Sequence, residues 1–236
     1  MKVLISFANP KMGAKLFGLA RALFSKKDQE LFIVALHVVS VESESEGFPL
    51  LTEDEIFQAV REEAAGSAFH FETVGFPSDW IVPGIVETAK SKGVDLLLLG
   101  ASRSLFSDDL LGGKVGDVLR ELSDLDIAVL ADNGLHSPIE PVIYSPGLES
   151  APLFPFSTGL STFIEKPIPV LAGSGQREFQ IESPEKFRPW LPFSLAAPDP
   201  SKNLNLAIVE YGTYKSFHSV LLDRKGLSFL ILRTGN

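Results

Sequence analysis

The sequence predicts an α/β protein: an open, mostly parallel sheet with helices on both faces, followed by a second, degenerate copy of the same unit. Three observations lead there. Apolar runs of strand length, "KVLISF", "LFIVALHVVSV" and "VDLLLLG", alternate with amphipathic stretches of helical period. The runs are continuous, as in strands covered on both faces. The order of elements then recurs, in weaker form, beyond residue 138.

Each element has its own signal. "KVLISF" is the first strand, and "NPKMG" after it carries loop chemistry. "AKLFGLARALFSKK" spaces Leu16, Leu19, Ala20, Leu23 and Phe24 at helical intervals, with lysines where a helix C-terminus favours them. "LFIVALHVVSV" is the second strand and "ESESEG" an acidic, solvated loop. Thr52 and Glu55, three apart, open a helix as a capping box, and Gly66 marks its end. "AFHFETV" alternates as a strand. "PSDWIVPGIVETAKSKG" reads as a helix with Ser78 or Asp79 as caps and Gly93 as the stop. Pro83 is tolerated there only if the helix starts near Trp80 to Pro83. "VDLLLLG", "GGKVGDVLRELSD" and "LDIAVLAD" follow as strand, helix and strand, with Asp95 as a cap or turn residue.

"NGLHSP" is linker-like, and the pattern then restarts. "PVIYSP" echoes "VLISFANP". "APLFPFSTGLSTFIEK" echoes the first helix, although Pro152 and Pro155 delay its start. "KPIPVLAG" stands where the second strand stood. "GTYKS" at Gly212 parallels "GASRS" at Gly100. These echoes divide the chain into a domain over residues 1–133 and a degenerate second domain over 138–236. The second carries a Pro/aromatic-rich insertion at 174–203, read as an ordered loop around Phe179, Phe187, Trp190 and Phe193.

Composition narrows the function. The 236 residues are 45% hydrophobic and 22% charged, with a formal net charge of −9. So acidic a chain has no electrostatic reason to bind nucleic acid. No apolar run has the length of a transmembrane segment. "MKVLISFANP" reads as a strand and its loop, not a signal peptide, which makes a cytoplasmic chain the expectation. Without cysteine there is no disulfide, thiolate nucleophile or Cys-based metal site. His37, His70, His136 and His218 lack metal-ligand spacing, and His37 reads as a hydrogen-bonded core residue. No G-x-S-x-G elbow and no Walker frame is present. No catalytic residue and no metal ligand is therefore assigned.

The chemistry that remains is a loop, "LLLLGASRSLFSDDLLGGKVGDVL", between a buried strand and a helix. In open α/β sheets ligands sit beyond the C-terminal strand ends, where the strand order switches. Two such ends stand out, Phe7 to Lys11 and the loop after Leu99. The candidate ligand-binding residues are accordingly Ala8, Asn9, Gly100, Arg103, Gly112, Gly113 and Lys114.

Residues 2–132 resemble the universal stress protein domain, on "IVETAKSKGVDLLLLG", the loop after it and the closing strand "IAVLAD". "ISFANP" is similar to the version in the cytosolic tails of cation/proton antiporters. Nucleotide-binding members of that family carry G-x2-G-x9-G-[S/T], which Gly100, Arg103, Gly113 and Lys114 match only in part. Ala8 stands where ATP-binding members have an aspartate. Arginine in place of glycine removes the backbone freedom that lets N–H groups approach phosphate. Arg103 and Lys114 instead add cations beside a helix N-terminus, which already favours anions. The resemblance implies a non-enzymatic regulatory or sensor module of the stress response, taking ATP, another adenine nucleotide or another anion. It also implies a homodimer or an internal pseudo-dimer through a last strand, and a membrane transporter as partner. The alternatives are a loop without ligand, Arg103 being paired to Asp108 or Asp109, in an interaction domain of a transporter at the cytosolic face of the membrane, and a slow ATP hydrolase.

Overall fold

The computed structural model describes residues 1–24, 30–39, 52–67, 69–78, 80–101, 113–145, 160, 163–165, 168–172, 187–189, 204–215 and 226–235. The chain divides into two units. One comprises Met1–Arg21, Asp28–Leu130 and Thr234–Asn236, the other Ala22–Lys27 and Ala131–Arg233.

The first unit is built from β1 (Lys2–Ser6), α1 (Pro10–Leu23), β2 (Phe32–Val39), α2 (Glu53–Ala64), β3 (His70–Pro77), α3 (Ile81–Lys92), β4 (Leu96–Ala101), α4 (Gly113–Glu121) and β5 (Asp126–Ala131). Its strand order is β3-β2-β1-β4-β5. β1 is central and parallel to both neighbours, with Ile5 opposite Ala35 on β2 and Leu98 on β4. All three residues are fully buried, as their unbroken apolar runs require. Right-handed crossovers send α1 and α2 to one face and α3 and α4 to the other. The contacts agree: Arg21 on α1 pairs with Glu63 on α2 at 2.9 Å, and α3 packs beside α4.

Local chemistry sets the helix ends. The capping box at Thr52 forms in full, with Glu55 N–H donating to Thr52 Oγ1 at 3.3 Å and Thr52 N–H to Glu55 Oε2 at 2.7 Å. α3 ends at Gly93, in the left-handed region at φ +57°. There Gly93 N–H reaches the Lys90 carbonyl and Val94 N–H the Ala89 carbonyl, the pair of bonds of a Schellman end. One start and one cap differ from expectation. α1 begins at Pro10, not after "NPKMG", because Asn9 caps it and proline suits the first helical position. α3 begins at Ile81, within the expected span from Trp80 to Pro83, but with Trp80 at the cap position; Ser78 forms only a local turn, its Oγ accepting from Trp80 N–H at 3.1 Å, and Asp79 lies outside the described residues. Pro83 then falls in the first turn, where no helical N–H is lost. Asp95, expected as a cap or turn residue, stands in the bend just before β4. It exchanges bonds with Lys2, its N–H donating to the Lys2 carbonyl and its Oδ2 accepting Lys2 N–H, and so fixes where β1 and β4 begin to pair.

The second unit contains β6 (Pro141–Ser145), β7 (Ile168–Ala172), β8 (Phe187–Pro189), β9 (Leu206–Glu210) and β10 (Ser228–Arg233). Its order is β10-β9-β6-β7-β8, and every neighbouring pair is parallel. Counted from β6, that is the strand order of the first unit. β8 lies inside the stretch read as a loop of no clear period. It was hidden because three residues, Phe-Arg-Pro, are too few to show an alternation. Of the helix expected over "APLFPFSTGLSTFIEK", Leu160 and Phe163 are described and helical, and Ile164 N–H donates to the Leu160 carbonyl at 3.0 Å; the start of that stretch, and Phe179, Trp190 and Phe193, lie outside the described residues. The linker is held by Asn205, which is 2% exposed. Its Oδ1 accepts Glu140 N–H at 2.9 Å, and its Nδ2 donates to the carbonyls of His136 and Pro138, each at 2.9 Å. No described helix is long and apolar enough to cross a membrane.

Candidate functional site

The strand order of the first unit reverses between β1 and β4: β2 and β3 lie on one side of that pair, β5 on the other. The C-terminal ends of these two strands, which are in register at Ser6 and Leu99, therefore border the crevice where this architecture takes ligands. Ala8 and Asn9 follow β1 there and are exposed, and Gly100 sits near the end of β4.

Phe7 forms the wall of the β1 end. It is buried, its ring edge-on to Phe57 at 5.8 Å between centroids and 5.9 Å from the His37 ring. His37 Nδ1 lies 3.1 Å from the Phe7 carbonyl oxygen. A carbonyl only accepts, so Nδ1 carries the proton in this bond. His37 is thus a hydrogen-bonded structural residue at the rim of the crevice.

Asn9 has a structural task that the sequence did not reveal. Its Oδ1 accepts Met12 N–H at 2.9 Å, and its carbonyl accepts Gly13 N–H at 3.1 Å. Pro10 brings no N–H at all. Of the first-turn donors that make a helix N-terminus attractive to anions, α1 keeps only that of Lys11. Asn9 can still offer its side-chain amide to a ligand, but its oxygen is committed.

Gly100 also has a packing reason. A Cβ there would collide with Met12 Cγ and lie 2.8 Å from Met12 Sδ. The Met12 side chain thus lies directly over β4 at the crevice. The glycine that the loop pattern marked for phosphate serves, in this chain, to let α1 approach β4. Gly13 repeats the theme one residue on, its missing Cβ making room for Phe7 and Val60.

At the other lip, Gly113 opens α4 at φ +55°, with open space where a Cβ would stand. Its glycine is required by backbone conformation, not by space. Lys114 follows, exposed, and makes no ion pair among the described residues. Val115, Val118 and Leu119 anchor the other side of α4 in the core. Arg103, Gly112, Asp108 and Asp109 lie outside the described residues. Among the described residues no group of His, Asp and Glu converges as a metal site.

Among the described residues, the switch-point crevice offers the exposed Lys114 ammonium, the Asn9 side-chain amide and, in the first turn of α1, the Lys11 N–H. These groups can meet an anion through side chains.

No protein-family model and no curated protein matches the sequence. Solved structures do. The cytoplasmic domain of a prokaryotic cation chloride cotransporter superposes with a TM-score of 0.64 over 99% of this chain and 95% of its own, at 8% identity. A universal stress protein from Archaeoglobus fulgidus DSM 4304 does so with a TM-score of 0.62 over 100% of this chain and 97% of its own, at 12% identity. At such identity the likeness is one of fold, and along its whole length this chain has the fold of a universal stress protein and of a cotransporter's cytoplasmic domain.

Proposed function

We propose that this chain is a non-enzymatic regulatory module of the universal stress protein type, which takes a nucleotide or another anion at the crevice between β1 and β4. The observation that carries the reading is the exposed Lys114 beside left-handed Gly113 at the start of α4, next to the switch point of strand order. Asn9 capping α1 and Met12 covering Gly100 support an altered site, held by side chains, in which Arg103 and Lys114 supply the charge. The identical strand order of the two units supports a tandem origin for residues 138–236.

The test is thermal denaturation with ATP, ADP, AMP, cyclic AMP and inorganic phosphate, each at millimolar concentration. A ligand that binds only the folded chain at one hundred times its Kd adds about 2.7 kcal/mol of stability. We expect a rise in melting temperature with at least one of them, lost in the Lys114→Ala variant. No shift with any probe sinks the ligand reading. Phosphate release from ATP above a buffer blank would sink the non-enzymatic one.

A second reading has an observation of its own. The match over 99% of the chain to the cytoplasmic domain of a cotransporter supports an interaction domain for a membrane transporter, with no small ligand. It predicts an unchanged melting temperature with every nucleotide and a chain that binds detergent-solubilised transporter. Sedimentation equilibrium separates a 25.6 kDa monomer from a homodimer under either reading.

A further inference from the structure

The outer face of α3 breaks the rule for a surface helix. Its inner face is formed by Gly84, Ile85, Thr88 and Ala89, which are buried, with Gly84 close against Phe76 and Val38. The opposite face should be polar. Instead Val82, Pro83 and Val86 line a groove of about 620 Å³ that runs to Glu121 at the end of α4. Just before the helix stands Trp80, which is 72% exposed. Trp80 occupies the cap position without making a cap bond, where Ser, Asp or Asn would stabilise the helix. A local rule broken with no gain to the fold is what a binding surface looks like.

The charges around the groove select its occupant. Lys92 is taken by Glu72 at 2.8 Å, and Arg120 by Asp117 at 3.0 Å. Among the described residues, Glu87 and Glu121 line the groove and make no ion pair, and Lys90 is the one cation that lines it with them. Two such carboxylates against one ammonium, on a chain of net charge −9, repel an anionic lipid surface or a nucleic acid. They suit an apolar stripe with cationic flanks, and a groove between two helices suits a third helix.

We propose that the groove between α3 and α4 docks a basic amphipathic helix of a partner protein. Its apolar side chains lie on Val82, Pro83, Val86 and Trp80, and its lysines or arginines meet Glu87 and Glu121. This surface is separate from the β1–β4 crevice and does not depend on any ligand there.

The probe is a synthetic peptide of about five helical turns, with leucines at i, i+3, i+4 and i+7 and lysines on the flanks, and its twin with glutamates for lysines. Binding to the intact chain is read by fluorescence anisotropy of the labelled peptide. The lysine peptide is expected to bind and the glutamate peptide not to. Val86→Glu, and separately Glu87→Lys with Glu121→Lys, are each expected to weaken binding about tenfold or more. Should Val86→Glu misfold, Pro83→Glu serves in its place, since an acidic residue in the first turn suits the helix dipole. Equal binding of both peptides overturns the proposal, as does binding that neither groove variant changes. So does a dimer in sedimentation that the groove variant turns to monomer, because a second copy is then the occupant.

Discussion

Gly100, Asn205, Tyr214 and Glu55 each owe their identity to a different physical term. At Gly100 the term is space. Gly100→Ala drives a Cβ into Met12, and overpacking of this kind costs about 1–3 kcal/mol. Chemical denaturation should show that loss, and most of it should vanish in a Met12→Ala background, where the obstructing side chain is gone. At Asn205 the term is hydrogen bonding. Asn205→Ala strands one N–H and two carbonyls of the linker, for an expected loss of about 2–3 kcal/mol. Tyr214 is the reverse case. Its phenol hydroxyl is buried without a hydrogen-bond partner among the described residues, and burial pushes its pKa up from 10.0. Tyr214→Phe removes the unsatisfied oxygen and keeps the ring beside Phe229, so stability should hold or rise by about 1 kcal/mol. At Glu55 the term is charge. The Thr52 backbone N–H, then its hydroxyl, hold the carboxyl below its ordinary 4.5. A lowered carboxylate stabilises the fold fully above that ordinary value, and the contribution is lost as pH falls below it. Glu55→Gln, which removes the titrating carboxyl, should therefore flatten the acid limb of stability against pH.

At the scale of elements, the ends of the helices carry the functional question. α1 spends its first-turn donors on Asn9, whereas α4 opens with a left-handed glycine and an exposed lysine. Asn9→Ala should cost about 1 kcal/mol through the lost cap. Gly113→Ala should cost about 1–2 kcal/mol through its positive φ. If the crevice holds an anion as proposed, Lys114→Ala should abolish the ligand-induced rise in melting temperature without changing the melting temperature of the free protein. Its ammonium is exposed and makes no ion pair among the described residues. A parallel loss of both would make Lys114 a structural residue.

At the scale of the molecule, the two units share one strand order although their sequences share only echoes. Parallel pairing with right-handed crossovers admits few topologies, so a chain that keeps its apolar runs in order keeps its fold while its loops drift. That explains how proteins with 8 and 12% identity match this chain over nearly its full length. It also explains why the fold by itself assigns no activity: function resides in the loops and surfaces, which the shared architecture leaves free to change.

The sequence by itself determined the α/β class, the strands of the first unit, the capping box at Thr52 and the helix stop at Gly93. These are readable because each is local: a run of buried side chains, a pair of residues three apart, a glycine where φ must be positive. It missed β8, since three residues show no period, and it placed the start of α1 too late, since Asn-Pro reads equally well as a loop and as a helix opening. Which residues of the crevice serve the fold was not readable at all. That Met12 covers Gly100, that Asn9 has spent its oxygen, and that α3 turns Val82, Pro83 and Val86 outward beside Glu121 depend on elements far apart in the chain. Only tertiary packing brings those together, because a side chain's free surface is decided by what lies against it in space, not by what lies beside it in sequence.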